Sequence, residues 1–297
     1  MSFDLGPALL FCPADRPDRY RKAAERADAV ILDLEDALLP GNRARARGQL
    51  VSHPLDPERT IVRVNPVGTP DFELDLAALD DTLYRYVMLP KAVHAAHLAA
   101  LARFEVIALC ETAAGVLAAP SIAAEPNVVA LMWGADDLVA SLGGSSSRFP
   151  DGSYRAIARH ARSAVLLAAG ANDKAAVDGV FLAIPDLEGL EAEVVDAVAS
   201  GFRATACIHP SQVPVIRAAY RPAPAEVAAA WQILEAASGE EGVFAYQGRM
   251  IDAPLLRHAE AVLRRAAAVP PQPGSPTGSA PTGSAPTVSA PTDSVDF

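Results

Sequence analysis

The chain has 297 residues, 51% of them hydrophobic, and its 25 Lys and Arg against 36 Asp and Glu leave a net charge of -11. That balance argues against nucleic-acid binding, because neutralising phosphates needs a surplus of cations. Aromatics are only 6% and Ala, Val, Leu and Ile carry the apolar content, which is the composition of a buried helix-and-sheet core and excludes a disordered chain.

In chain order, short β-branched apolar runs alternate with Ala/Arg/Glu-rich stretches of helical period. The runs predict strands at 8–13, 29–35, 60–65, 86–91, 105–111, 128–133, 177–184 and 205–210. Between them the spacing predicts helices at 17–27, 42–53, 92–103, 113–124, 154–169 and 187–200. Continuously apolar strands with helices outside them indicate a parallel sheet, and eight such units suggest closure into a TIM (β/α)8 barrel. A doubly wound open sheet is the alternative; it is disfavoured because no Gly-x-Gly-x-x-Gly follows the first strand. From Pro270 the sequence becomes a Pro/Ser/Thr/Gly repeat that holds seven of the 25 prolines and offers nothing to bury, so 270–297 is expected to be a disordered tail. No apolar run approaches the roughly 20 residues of a membrane span, and Met1-Ser2-Phe3-Asp4 lacks the basic start of a leader, so a soluble cytoplasmic protein is expected. Cys12, Cys110 and Cys207 lie far apart in apolar runs and read as reduced core thiols.

Charged residues interrupt these runs at their C-terminal ends. Asp33, Glu35 and Asp36 close strand two, Arg63 and Asn65 strand three, Lys91 strand four, Glu111 strand five and His209 strand eight, and Asp137 follows strand six. The steps from Glu35 to Arg63, Lys91, Glu111 and Asp137 are 28, 28, 20 and 26 residues, close to the roughly 30 of one βαβ unit. Such spacing places them all on one rim, and in a barrel that rim carries the chemistry. Some have plainer readings: Asp33 and Asp36 can close the βα loop, Lys91 can pair with Glu35 or Glu111, and His209 can be a hydrogen-bonded loop residue. Glu111 and Asp137 on adjacent strand ends concentrate negative charge, and all-oxygen ligands favour a hard cation such as Mg²⁺. Arg63 adds a planar donor fork for a carboxylate or a developing oxyanion.

The segments Phe11-Cys-Pro-Ala-Asp-Arg-Pro17, Ile31-Leu-Asp-Leu-Glu-Asp36, Val62-Arg-Val-Asn65, Met88-Leu-Pro-Lys91, Glu111-Thr-Ala-Ala-Gly115, Gly134-Ala-Asp-Asp-Leu138 and Gly248-Arg-Met-Ile-Asp-Ala-Pro254 together resemble the citrate lyase β-subunit-like proteins. These stand with malyl-CoA and citramalyl-CoA lyases in the HpcH/HpaI aldolase group, and the resemblance runs in order from about residue 8 to 265. It implies a TIM barrel that cleaves or forms a carbon-carbon bond next to a CoA thioester, with Mg²⁺ holding a 2-oxo acid. By that likeness Glu111 and Asp137 are the metal ligands, Arg63 polarises the substrate oxygen, and Arg63 and Glu111 meet the substrate. Arg16 and Lys22 fall where CoA phosphates are expected. Asp252 falls in a C-terminal lid that closes over a neighbouring subunit and supplies an acid-base carboxylate, which implies a homotrimer or hexamer. From the residues alone Asp252 is equally an N-cap for a helix at 253–267, since Asp before Ala-Pro is a helix-start signal. The expected organisation is a catalytic barrel at 1–220, a helical arm and lid at 221–269 and the tail at 270–297. Expected substrates are β-hydroxyacyl-CoA thioesters such as citramalyl-CoA, malyl-CoA or hydroxymethylglutaryl-CoA. The alternatives are a citrate lyase β subunit inside a larger complex, thioester hydrolysis after condensation, a CoA-free 2-oxo-acid aldolase and a non-catalytic assembly or regulatory subunit.

Overall fold

The computed structural model describes residues 3–239 and 242–268; the expected tail at 270–297 lies outside them. Eight parallel strands follow one another around a closed barrel: β1 Ala8–Pro13, β2 Ala29–Asp33, β3 Thr60–Arg63, β4 Tyr86–Leu89, β5 Glu105–Cys110, β6 Val128–Trp133, β7 Ala175–Asp178 and β8 Ala204–Cys207. β8 pairs back onto β1, with Leu9 opposite Ala206, so the open-sheet alternative is excluded.

Alternation along each strand explains why the runs are apolar throughout. Leu9, Ile31, Ile61, Met88, Ile107 and Val177 point into the barrel and form one buried cluster. Leu10, Leu32, Val62, Val87, Ala108 and Leu131 point outward into a second cluster, shared with the surrounding helices. Those helices are α1 Pro17–Arg26, α2 Arg43–Ser52, α3 Pro70–Asp80, α4 Ala113–Ala123, α5 Ala135–Ser141, α6 Ala156–Ala171, α7 Leu187–Ser200 and α8 Gln212–Tyr220. Local chemistry starts several of them: Thr69 accepts from Phe72 N at 3.2 Å, Thr112 from Gly115 N at 3.0 Å and Asp186 from Gly189 N at 2.9 Å.

Two expectations need correcting. The helix expected at 92–103 is a 3₁₀ helix, Ala95–Leu101. The chain first turns left-handed at Lys91, and Ala92 N stays bonded to Leu109 O at 3.1 Å, so only a short piece remains to coil. The strand expected at 177–184 ends at Asp178. The Asp178 carboxylate accepts from Trp133 Nε1 at 2.6 Å, Gly179 N at 3.0 Å and Arg162 Nη2 at 2.8 Å, which turns the chain out of the ladder.

Beyond α8 lie α9 Pro224–Ala236, the hairpin β9 Phe244–Tyr246 and β10 Arg249–Ile251, and α10 Ala253–Ala268. Gln247 and Gly248 both have positive φ, the conformation of a tight two-residue hairpin turn. α9 and α10 pack on each other through Ala230, Ala259 and Val262. The three cysteines are free and buried, and burial raises their pKa, that of Cys12 to about 11.

Candidate active site

The strand ends β2 to β6 converge on one mouth, and the β2–β3 register sets Asp33 beside Arg63. Asp33, only 1% exposed, accepts from Arg63 Nε at 2.7 Å and Nη2 at 2.6 Å. The same carboxylate takes Glu35 N at 2.9 Å and Ala37 N at 3.1 Å. Asp33 therefore closes the βα loop, as its plainer reading held, and also braces Arg63. Asn65 ties the next loop down, donating from Nδ2 to Leu34 O at 3.0 Å and to the fully buried Asp75 at 2.7 Å.

Arg63 lies over the Phe11 ring, 4.9 Å from its centroid, and its Nη1 stands 3.2 Å from Glu35 Oε2. That contact is an ion pair without hydrogen-bond geometry, and Oε2 has no hydrogen-bond partner. Burial opposes the Arg63 charge, but Asp33, Glu35 and Glu111 outweigh it and its pKa is raised. Lys91 Nζ ion-pairs with Glu35 and reaches Asp36 at 3.5 Å, while Lys91 N donates to Glu111 Oε1 at 3.0 Å. Lys91 thus pairs with Glu35, as one sequence reading allowed, but meets Glu111 through its main chain.

Glu111 directly follows β5 and is 2% exposed. Burial first, then Asp137 and Glu35, push its pKa up to about 8, against the opposing pull of Lys91 and Arg63. Asp136 and Asp137 both sit in the first turn of α5. Asp136 accepts from Ser147 Oγ at 2.7 Å, whereas exposed Asp137 lines the mouth with its charge directed at Glu111.

The donor set fits a divalent ion. Among the described residues no three His, Cys, Asp or Glu side chains group around one point, so the protein offers two carboxylates, and Mg²⁺ is commonly held by one or two with water and substrate oxygens completing the octahedron. Gly134 leaves the space such a site needs: a Cβ there would lie 2.9 Å from Glu111 Cβ and 3.1 Å from Glu111 Oε2. The acids Asp33, Glu35, Asp36, Glu111, Asp136 and Asp137 also outnumber the mouth's cations Arg63 and Lys91.

The mouth is a cavity of about 430 Å³, with Leu109, Met132, Val180, Leu182 and Ile208 forming its apolar wall. A larger cavity of about 720 Å³ lies at the opposite end, between Phe3, Phe202, Tyr220 and the last turns of α10. It has no carboxylate pair, and barrel chemistry belongs to the C-terminal rim, so the smaller cavity is the candidate site.

Of the residues expected at the site, Arg63, Glu111 and Asp137 line one cavity together with Asp33 and Asp36, whereas Asp252, Arg16, Lys22 and His209 do not line it. Asp252 is absent from its own mouth; its Oδ1 accepts from Leu255 N at 3.2 Å, the N-cap of α10. Arg16 is exposed and paired with Asp18, both contacts at 3.0 Å, and Lys22 is exposed on α1. His209 is an exposed loop residue bonded to Ser211 Oγ at 2.7 Å, as its plainer reading held. Sequence reasoning assigned no role to Gly134 or to the Lys91 main chain. A glycine directly after a strand signals close approach and could have marked the first; nothing in the sequence marks the second.

A closed parallel barrel with paired carboxylates and a braced arginine at its C-terminal mouth defines an enzyme of the TIM-barrel class. The chain belongs to the HpcH/HpaI aldolase/citrate lyase family, whose model matches residues 8–210. It is 56% identical over 261 residues to the citrate lyase subunit beta-like protein of Mycobacterium tuberculosis (strain ATCC 25618 / H37Rv), covering 88% of this chain and 96% of that protein. It is 33% identical over 276 residues to the (3S)-malyl-CoA thioesterase of Cereibacter sphaeroides (strain ATCC 17029 / ATH 2.4.9), covering 88% and 95%. Among solved structures, protein CitE from Mycobacterium tuberculosis in complex with magnesium, acetoacetate and coenzyme A superposes with a TM-score of 0.82 at 55% identity, covering 88% of this chain and 98% of that one.

Proposed function

We propose that the protein is a Mg²⁺-dependent carbon-carbon lyase that cleaves, or in reverse assembles, a β-hydroxyacyl-CoA such as citramalyl-CoA, malyl-CoA or hydroxymethylglutaryl-CoA, giving an acyl-CoA and an oxo acid. The observation that carries this reading is the meeting of Glu111, Asp137 and Arg63 at one barrel mouth. The related solved structure in complex with magnesium, acetoacetate and coenzyme A supports the choice of ligands.

In cleavage the β-hydroxyl loses its proton as the Cα–Cβ bond breaks, the electron pair moves into the thioester as an enolate, and the enolate carbon takes up a proton. Glu111 and Asp137 would hold the Mg²⁺, which when bound supplies positive charge to the oxo-acid oxygens. Arg63 steadies the same oxygen. Its Nε and Nη2 are spent on Asp33, so Nη1 is the edge it offers to substrate. The apolar wall shelters the acyl group from water.

Asp252 is the candidate proton donor, presented from another copy of the chain. Its absence from its own mouth and the packing of α9 and α10 on each other suit an arm that serves as a lid for a neighbour in a trimer or hexamer. This reading keeps the division into a barrel at 1–220, an arm at 221–269 and a tail at 270–297. Arg16 and Lys22 remain candidates for CoA phosphates, with Arg16 exchanging Asp18 for phosphate.

Purified protein with Mg²⁺ should split at least one of the three thioesters into an acyl-CoA and a free oxo acid, read by product mass. No turnover of any would overturn the stand-alone reading in favour of a subunit needing partners. A second reading, hydrolysis of the thioester, is favoured by the thioesterase relative and would show as free CoA. Mixing inactive Glu111→Ala and Asp252→Ala proteins should restore activity if the lid is exchanged.

A further inference from the structure

Lys91 is a non-glycine residue held at φ 49°, a left-handed conformation that glycine adopts far more readily. The turn is fixed on both sides, because Ala92 N donates to Leu109 O at 3.1 Å and a Cβ added to Gly115 would lie 2.5 Å from Ala92 O. An unfavourable backbone kept with a long side chain points to a use for that side chain. Its ammonium grips Glu35 Oε1, leaving Oε2 at 3.2 Å from Arg63 Nη1 but out of hydrogen-bond alignment and unpartnered. Glu35 is 2% exposed, so water is a poor alternative partner.

We propose that Lys91 is a positioning residue whose ammonium takes Glu35 Oε1 and keeps this carboxylate, already ion-paired with Arg63 Nη1 at 3.2 Å, from turning into hydrogen-bond alignment with it, so that Nη1 can still be taken by a carboxylate or carbonyl oxygen in the mouth. Without that ammonium, Glu35 would rotate onto Nη1 and occupy the last donor edge of Arg63. Lys91 therefore acts through Glu35 and does not touch the substrate. The consequence for substrate rests on the lyase reading above; the arrangement of the three side chains does not.

The test compares Lys91→Met with the double variant Lys91→Met/Glu35→Ala, after thermal melting confirms that both are folded. Methionine at 91 keeps the main-chain donor to Glu111, so Mn²⁺ affinity, read by electron paramagnetic resonance near pH 9, above the Glu111 transition, should stay within about threefold of the parent. Pyruvate binding to the Mn²⁺-loaded protein should weaken about tenfold or more in Lys91→Met and recover in the double variant. In metal-free protein, phenylglyoxal labelling of Arg63, followed by peptide mass, should slow in Lys91→Met and recover in the double variant. Unchanged labelling in Lys91→Met, or no recovery on removing Glu35, overturns the proposal. If the parent itself binds no pyruvate, the citramalyl-CoA form of the lyase reading falls, while the labelling result still decides the role of Lys91.

Discussion

Metal affinity should depend on pH because of where Glu111 sits. Its pKa in the metal-free protein is pushed up to about 8 from an ordinary 4.5, burial being the main cause and Asp137 the second. Below about pH 8 a divalent ion must therefore displace a proton from this carboxyl, and each pH unit costs about 1.4 kcal/mol, a factor of ten. Lowering the pH from about 8 to about 6 should weaken Mn²⁺ or Mg²⁺ binding about 50-fold, and affinity should level off above about pH 8. Titration calorimetry in two buffers of different ionisation enthalpy should show close to one proton released per ion near pH 6 and close to none near pH 9. The sign for stability follows. The folded pKa lies above the unfolded one, so this group's contribution is fully present below about pH 4.5 and is lost as pH rises through about 8. Metal-free protein should accordingly lose melting temperature from pH 6 to 9, and bound metal should reverse that loss, because it binds only the folded chain. An affinity that stays flat between pH 6 and 8 would refute the reasoning. Asp137→Asn, which removes the second-largest cause, should move the midpoint of the metal-free transition below 8.

Gly134→Ala places a methyl 2.9 Å from Glu111 Cβ at a residue with ordinary extended backbone (φ −131°), so the buried Glu111 must shift: metal affinity should fall about tenfold and the fold should lose about 1–3 kcal/mol in urea unfolding. Arg63→Lys cannot reproduce the two-pronged contact with Asp33, and kcat should drop about 10² to 10³-fold in a steady-state assay; a loss under about threefold would remove Arg63 from the chemistry. Asp75→Ala strands Asn65 N, Asn65 Nδ2 and Arg47 Nε, donors now at 2.7–2.8 Å, and should cost about 3 kcal/mol in urea unfolding, without abolishing metal binding.

Periodicity revealed the barrel because its physics is local: strands buried on both faces read as unbroken apolar runs, and all eight were visible. β1 and β6 have the expected limits, while β2 to β5 stop one or two residues before their polar ends, which have already turned into the mouth. β7 was misplaced because Val180, Phe181 and Leu182 are apolar for another reason. Val180 and Leu182 line the mouth and Phe181 is buried, all from a loop. α3, α5 and α8 were missed: α3 starts from a Thr-Pro cap, and α5 and α8 are only seven and nine residues long. At the site, the spacing between strand ends located Arg63, Glu111 and Asp137. What each one touches depends on register and loop conformation, so the Asp33–Arg63 fork and the left-handed turn at Lys91 left no readable trace, and the clearance at Gly134 left only the glycine that follows β6.

The same geometry explains how an acidic chain can serve anionic substrates. Arg63 cannot attract a carboxylate freely, since Asp33 occupies one edge of its guanidinium and Glu35 stands beside another. Lys91 is similarly engaged by Glu35 and Asp36. Unassisted, the mouth presents its surplus acids to an incoming oxo acid. A divalent ion held by Glu111 and Asp137 would reverse that sign, since a bound ion is often the largest local charge in such a site. The acids around Arg63 act differently, fixing the guanidinium plane at the wall of the cavity. Acidity near the metal recruits charge, and acidity near the arginine directs it.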